Sequence, residues 1–130
     1  MRILLVEDDE NVAQVVTKGM GEASHHVTHA SDGEDGLSLA LTERYDVMIF
    51  DRMLPGGVDS ANLLQNLRQQ QVSTPVLFLS GLGELHDWMK GLDSGADDYL
   101  VKPFIFADLL SHVEALHQRH LDEQQVSSEI

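Results

Sequence analysis

Short runs of consecutive apolar residues alternate with helix-like segments along this chain, and this alternation limits its fold more than any other feature. Two of the runs, Ile3–Val6 and Val76–Leu79, contain no polar residue. A strand with one face in water would alternate apolar and polar side chains, so these runs predict strands that are covered on both faces. Helices on both sides of a parallel sheet cover strands in this way. The sequence therefore predicts an α/β protein with a doubly wound sheet.

The periodicity of apolar residues predicts five strands and five helices. The predicted strands are Ile3–Val6, Val27–Ala30, Asp46–Phe50, Pro75–Leu79 and Tyr99–Val101. The predicted helices are Glu10–Glu22, one that opens at Ser31, Ser60–Gln70, Glu84–Ser94 and Phe106–Arg119. In the first helix we expect Val12, Val15, Val16 and Met20 to face the core, and in the second Leu37, Ala40 and Leu41. From His120 the chain is polar and weakly patterned, so residues 1–119 are predicted to form one domain and 120–130 a linker or frayed tail.

Composition excludes several classes of protein. The 130 residues suit one domain with a single core. No apolar run approaches the ~20 residues of a membrane helix, and the absence of cysteine excludes disulfides and thiolate metal sites, which favours the cytoplasm. The net charge is −14 with only 8 basic residues. DNA binding depends on basic residues, so this chain alone is not expected to bind nucleic acid.

Polar side chains follow the predicted strands at the points where the strands end. Glu7 and Asp8 follow the first strand, Asp51 the third, Ser80 the fourth and Lys102 the fifth. The carboxyl ends of strands in open α/β sheets meet at one edge, where such proteins bind ligands. We therefore expect these five side chains to lie close together.

This combination of residues is typical of phosphoryl transfer to a carboxylate. Asp51 can act as a nucleophile that forms an aspartyl-phosphate. Glu7, Asp8 and the carbonyl of Met53 offer the oxygen ligands that Mg²⁺ prefers. Each residue also has a structural explanation when it is taken alone. Asp51 could be a turn aspartate, and Lys102 a surface lysine.

Three segments together resemble the receiver domain of bacterial two-component response regulators. They are Ile3–Asp9, Asp51–Pro55 and Gly95–Phe104. The resemblance covers about residues 1–119. The last segment is similar to receivers of the OmpR/PhoB group, which precede a winged-helix DNA-binding domain. The resemblance implies a flavodoxin-like (βα)5 fold with strand order 2-1-3-4-5.

The resemblance also implies a role for each site residue. Asp51 would accept a phosphoryl group from a sensor histidine kinase, with Lys102 and Ser80 as catalytic residues that hold this group. Mg²⁺ would bind to Asp8, Asp51 and the Met53 carbonyl directly, and to Glu7 through water. Ser80 and Tyr99 would form a switch pair. Such a domain catalyses only its own phosphorylation and dephosphorylation, and is not an enzyme acting on other substrates.

Two departures from the family pattern affect these expectations. The loop Pro55–Ser60 carries one extra residue and has Ser60 at the usual glycine, so its conformation is expected to differ. On the surface formed by the fourth helix, fifth strand and fifth helix, Trp88 and His112 replace two arginines, whereas Asp98 and Asp108 retain the acidic partners. A homodimer formed on phosphorylation would then use more apolar contacts, or associate weakly, or use another surface.

Two other classes of function remain open from the sequence. Phosphatases and mutases that form aspartyl-phosphates carry a second aspartate two residues after the nucleophile, and Met53 in that place argues against them. A phosphate-independent interaction module on the same fold is the other alternative. The segment Gln124–Ser128 is typical of a linker, so we expect the chain to be a receiver cut from a longer regulator whose missing part binds DNA.

Overall fold

The computed structural model describes residues 1–81 and 96–128. The predicted helix Glu84–Ser94 lies outside the described residues. The described helices are α1 (Glu10–Glu22), α2 (Gly33–Thr42), α3 (Ser60–Gln69) and a C-terminal helix (Phe106–Ser128). The strands are β1 (Arg2–Val6), β2 (His26–Ala30), β3 (Val47–Asp51), β4 (Met53–Leu54), β5 (Val58–Asp59), β6 (Val76–Gly81) and β7 (Asp98–Lys102).

Five of these strands form one parallel sheet in the order β2-β1-β3-β6-β7. The other two, β4 and β5, pair with each other as a short antiparallel hairpin directly after β3. Because the hairpin takes the fourth and fifth labels, the order of the main strands is the predicted 2-1-3-4-5. The predicted fold class is confirmed.

Helices cover both faces of the sheet, and each face has its own core. One core joins β-strand residues to Ala40 of α2 and to three leucines of α3, Leu63, Leu64 and Leu67. The other core joins the opposite strand faces to α1 and the C-terminal helix through Ala13, Val16, Met20, Leu109, Val113 and Leu116. All five residues of β3 are buried, as expected for a central strand without an alternating pattern.

Aspartates begin the three helices that follow strands at or near the predicted ligand edge. Asp9, Asp32 and Asp59 cap α1, α2 and α3, each accepting a hydrogen bond from a backbone N–H of the first turn. These caps fix the points at which the chain leaves the sheet edge. They therefore help to position the residues between each strand and its helix.

Four local features of the structure differ from what the sequence predicted. Val15 is 54% exposed and Leu41 is also exposed, because each lies at the margin of its helix's apolar stripe. The C-terminal helix continues past Arg119, its predicted end, to Ser128, and the assignment of residues 120–130 as a linker or tail stays a prediction. The β4–β5 hairpin was not predicted, because its strands have only two residues each. None of the helices in the described ranges has the length and apolar character needed to cross a membrane.

Candidate functional site

Lys102 lies between two carboxylates at the carboxyl edge of the sheet. Its Nζ donates to Oε1 and Oε2 of Glu7 at 3.1 and 3.0 Å, and lies 3.4 Å from Oδ2 of Asp51. Lys102 and Asp51 are the last residues of β7 and β3, and Glu7 directly follows β1, so the sheet brings these three predicted groups together. The expected closeness of these side chains is present, whereas the direct hydrogen bonds between Lys102 and Glu7 were not foreseen.

Burial controls the charge of the Asp51 carboxylate. Asp51 is 9% exposed and Glu7 is fully buried. Burial, and then the negative charge of Glu7, raise the pKa of Asp51 to about 7, although the ammonium of Lys102 opposes this change. Burial would lower the pKa of Lys102, but hydrogen bonds to Glu7 and the charges of Asp51 and Glu7 outweigh it and raise the pKa. A cation is therefore held firmly beside an aspartate that resists ionisation.

Three acidic residues at this edge could hold a metal ion. Glu7, Asp8 and Asp51 each offer one carboxylate oxygen, and these oxygens lie within 4.8 Å of one another. Asp8 is exposed, which leaves an opening toward solvent. Hard oxygen donors in a small cluster suit Mg²⁺, which usually keeps several waters and uses one or two carboxylates. A divalent cation would also offset the repulsion that raises the pKa of Asp51, so the residues fit this ion.

The predicted switch residues lie on neighbouring strands. Ser80 is buried in β6, and Tyr99 is buried in β7. Tyr99 is opposite Phe78 and Ser80 is opposite Val101, so the two residues are offset by two positions in register. Because side chains alternate along a strand, Ser80 and Tyr99 face the same side of the sheet. Asp51 is opposite Leu79, so Ser80 follows the residue that is paired with the candidate nucleophile.

Arg52 is a residue that sequence reasoning missed. It is 5% exposed, and its guanidinium lies 5.4 Å from the centre of the Phe78 ring. Its Nε and a terminal nitrogen donate to the two carboxylate oxygens of Asp59 at 2.6 and 3.2 Å. The sequence signal was an arginine directly after the candidate nucleophile, with an acid seven residues later. A search of strand ends does not include such a pair.

His29 is a second residue that was missed, because the search considered only polar residues that follow strands, and His29 lies within β2. Its Nε2 lies 2.6 Å from the carbonyl oxygen of Glu7. The backbone N–H of Glu7 also donates to the Ala30 carbonyl at 3.0 Å. The end of β2 therefore holds the turn that carries the two acids after β1.

The loop with the extra residue has a defined shape. Residues Pro55–Gly57 form a 3-10 turn between β4 and β5, and Gly56 and Gly57 have φ values of 78° and 74°. Such backbone angles favour glycine. Ser60, at the position where glycine was expected, is instead buried at the start of α3. Gly56 and Gly57, which precede Ser60 in this loop, thus supply the left-handed backbone conformation.

The predicted dimer surface is only partly described. Nδ1 of His112 lies 2.7 Å from Oδ2 of Asp98 within the same chain, and Asp108 is exposed on the C-terminal helix. Trp88 lies outside the described residues. The pair of Asp98 and His112 joins β7 to the C-terminal helix. A role for these residues in dimerisation stays a prediction.

The fold and the site define a flavodoxin-like α/β domain with an acidic, lysine-containing site at the carboxyl edge of its sheet. The model of the response regulator receiver domain matches residues 3–114, and the chain belongs to that family. It is 47% identical over 120 residues to the transcriptional regulatory protein HprR of Escherichia coli K12, covering 92% of this chain and 53% of that protein. Over 119 residues it is 44% identical to the transcriptional regulatory protein CusR of the same strain, covering 92% and 52%.

Solved structures agree with this assignment. The receiver domain of the Francisella response regulator 1452 has a TM-score of 0.84 and 39% identity, with 92% of this chain and 98% of that chain covered. NtrX from Brucella abortus has a TM-score of 0.92 and 24% identity, covering 99% of this chain and 29% of that chain, which supports the fold alone. The chain spans about half the length of the curated relatives it matches.

Proposed function

We propose that this chain is a phosphoacceptor that is phosphorylated on Asp51 in a reaction that needs Mg²⁺. The observation that carries this proposal is the 3.4 Å contact between Lys102 Nζ and Oδ2 of Asp51, next to the carboxylates of Glu7 and Asp8. A nucleophile, a fixed cation and a set of metal-binding oxygens are the parts that phosphoryl transfer to a carboxylate needs. Membership of the receiver family supports the same proposal.

The chemistry follows from positioning and electrostatics. An oxygen of ionised Asp51 forms a bond to phosphorus, and the bond between phosphorus and a histidine nitrogen of the kinase breaks, with its electron pair returning to the histidine ring. Lys102 donates to the transferred group, and Ser80 donates a second hydrogen bond after a local movement. Mg²⁺ held by Glu7, Asp8, Asp51 and the Met53 carbonyl would supply positive charge that favours ionised Asp51 and stabilises the phosphoryl oxygens.

The phosphoryl donor is proposed to be a sensor histidine kinase, which would approach beside Lys102. A groove of about 380 Å³ there is lined by Val12 and Val15 of α1 and by Pro103 and Phe104 after β7. Ile105 next to it is 71% exposed. An apolar surface beside a reactive carboxylate suits a helix of the kinase that carries the phosphorylated histidine, because burying apolar surface would hold the donor near Asp51.

The output is proposed to be a change in the surface that includes β7 and the C-terminal helix. Phosphorylation adds up to about two negative charges, which would draw Ser80 and Lys102 toward Asp51. Tyr99 would follow, and the surface carrying Trp88, Asp98, Asp108 and His112 would favour a homodimer. In a longer cytoplasmic protein, such a dimer would control transcription through a DNA-binding domain, as the names of the relatives suggest.

The test of this proposal is intact mass after incubation with acetyl phosphate, with and without Mg²⁺. Wild-type protein should gain one phosphoryl group (~80 Da) only with Mg²⁺, because the carboxylates need a cation to accept further negative charge. Asp51→Asn should gain nothing. Asp46→Asn is a matched control, because Asp46 lies at the opposite end of β3 and accepts from the backbone N–H of Arg2.

Each result of this test has a clear meaning. A gain that persists in Asp51→Asn would show that another residue is the acceptor. No gain in wild-type protein would overturn the phosphoacceptor proposal and favour a phosphate-independent interaction module. Dimerisation is tested separately by sedimentation with beryllofluoride. Identical profiles for wild-type protein and a Trp88→Ala, His112→Ala variant would contradict a role for that surface.

A further inference from the structure

Both the backbone and the side chain of Arg52 hold the loop that follows β3. Its N–H donates to the Leu79 carbonyl on β6 at 2.7 Å. Its carbonyl accepts from the N–H of Ser60 at 2.8 Å and from the Ser60 hydroxyl at 3.0 Å. The peptide planes on both sides of Arg52 are therefore held, one by the sheet and the other by the start of α3.

The side chain of Arg52 adds a third attachment. Its planar guanidinium forms two parallel hydrogen bonds to Asp59, a geometry that fixes direction as well as distance. Asp59 is itself fixed, because it caps α3 by accepting from the N–H of Ala61 at 2.9 Å. The guanidinium of Arg52, which forms this fork of two hydrogen bonds, also packs against Phe78 of β6. The Arg52–Asp59 pair therefore links the sheet to α3.

Met53 lies between these held points. The residue follows Arg52, and in the β4–β5 hairpin it pairs with Asp59, the same residue that holds the Arg52 guanidinium. Arg52, before Met53, is held as described, and Leu54, after it, pairs with Val58 in the hairpin. The backbone has only two soft dihedral angles per residue, so the Met53 carbonyl has little freedom of direction. This matters because the loop carries an extra residue, which in a free loop would give that carbonyl several orientations.

We infer that Arg52 and Asp59 are positioning residues that hold the Met53 carbonyl for Mg²⁺, and so set the affinity of the site for this cation. The inference rests on the proposed function for the identity of the ion. Both residues would act on the ion through the loop that carries Met53. Partners that orient a ligand of a metal ion typically change its affinity by 10- to 100-fold when they are removed.

The experiment measures Mg²⁺ affinity by titration calorimetry on unphosphorylated protein, together with the melting temperature. Arg52→Met keeps an apolar stem over Phe78 but loses the fork, and Asp59→Asn keeps a capping oxygen but loses the charge. Each is expected to weaken Mg²⁺ binding by about tenfold or more. The double variant should be little weaker than either single variant, because both remove the same link.

Arg68→Met is the matched control. Arg68 is a partly buried arginine whose guanidinium lies 3.3 Å from Asp97 and donates to the carbonyls of Val72 and Thr74 at the opposite edge of the sheet. Its replacement should lower the melting temperature and leave the Mg²⁺ affinity unchanged. If Arg52→Met does not fold, Asp59→Asn provides the same test with the helix cap retained.

Two results for the variants would overturn the inference. One is a Kd for Mg²⁺ within twofold of the wild-type value in folded Arg52→Met or Asp59→Asn. The other is equal weakening in Arg68→Met, which would show a general effect of lost stability. Wild-type protein that gains no phosphate but binds Mg²⁺ with this dependence on Arg52 would contradict the proposed function and support the inference. Wild-type protein that binds no Mg²⁺ would overturn the inference, whatever its phosphorylation.

Discussion

At the scale of single residues, Asp51 works against the stability of the fold when it is ionised. Its pKa is raised to about 7 in the folded protein, first by burial and then by the charge of Glu7. The unfolded chain ionises near the reference pKa of ~3.9. A group with a raised folded pKa contributes no penalty below its unfolded pKa, and it costs stability as the pH rises through the folded value.

Asp51→Asn should therefore stabilise metal-free protein in a way that depends on pH. At pH 8 the gain in free energy of unfolding should be about 2–4 kcal/mol, from a shift of roughly three pKa units. Near pH 4 the gain should disappear. Urea unfolding of both proteins at the two pH values gives the result, and Mg²⁺ added at pH 8 should reduce the gain. A gain of the same size at both pH values would contradict the assigned cause.

The pKa of Asp59, in the loop that follows β3, shifts in the opposite direction from that of Asp51. Burial would raise its pKa, but hydrogen bonds from Arg52 and from the Ala61 N–H, with the charge of Arg52, outweigh burial and lower it. A lowered folded pKa gives stability that is present above the unfolded pKa and is lost as the pH falls through the folded value. The pair of Arg52 and Asp59 should therefore stabilise the protein at neutral pH and cease to do so in acid.

Asp59→Asn should lower the free energy of unfolding by about 1 kcal/mol at pH 7, a small value because the carboxylate is partly exposed. The difference from wild type should shrink as the pH falls below about 4. Asparagine is also a good helix cap, so the loss reports the charge pair and not the cap. The same urea experiment measures it, and a loss that grows toward low pH would contradict this explanation.

At the scale of elements, a glycine decides how closely α2 packs on the sheet. A Cβ built on Gly36 of α2 would lie 2.7 Å from Cγ2 of Val6, a fully buried residue of β1. A Cβ built on Gly21 of α1 would meet nothing within 4 Å. Only the first position therefore needs glycine for the approach of a helix to the sheet.

Alanine at these two positions should have opposite effects. Gly36→Ala should reduce the free energy of unfolding by about 1–3 kcal/mol, because a β-branched residue inside the sheet cannot move aside. Gly21→Ala should raise it by up to about 1 kcal/mol, because alanine favours helix and has space. Thermal unfolding of both variants measures the difference. A loss of stability in both would show that the backbone at Gly21 also requires glycine.

The groove beside Lys102 is a second feature that belongs to elements, since α1 and the segment after β7 form it together. Val15→Asp places a charge in the groove, and Ile105→Asp places one next to it. With a sensor kinase that phosphorylates the wild type, each variant should show phosphotransfer that is slower by about tenfold or more. The reason is that an unpaired charge buried under the kinase costs several kcal/mol. Labelling by acetyl phosphate should not change. Leu121→Asp, at an exposed apolar residue of the C-terminal helix outside the groove, is the control. Loss of labelling by both donors would show damage to the site itself.

The sheet and its polar edge could be predicted because both follow from local patterns. Unbroken apolar runs predicted buried parallel strands, and polar residues after them predicted Glu7, Asp51, Ser80 and Lys102 at one edge. The contact of Lys102 with Glu7 joins residues 95 positions apart, and no periodicity encodes it. The Arg52–Asp59 link depends on a hairpin with strands of two residues, which is too short to give a pattern.

At the scale of the whole molecule, the excess of acidic residues sets the response to salt. The chain has 22 acidic and 8 basic residues, for a formal net charge of −14. Like charges repel in the compact state, and this repulsion opposes folding. At 1 M ionic strength the Debye length is about 3 Å, compared with about 30 Å at 0.01 M, so salt should screen most of the repulsion between exposed carboxylates.

The free energy of unfolding in urea should therefore rise by about 1 kcal/mol or more between 0.01 and 0.5 M NaCl. An Asp122→Asn, Glu123→Gln variant removes two exposed charges from the C-terminal helix. It should be more stable than wild type at low salt and should gain less from added salt. If stability falls with salt in both proteins, attractive pairs such as Lys102 with Glu7 outweigh the repulsion, and the net charge does not control the stability of this fold.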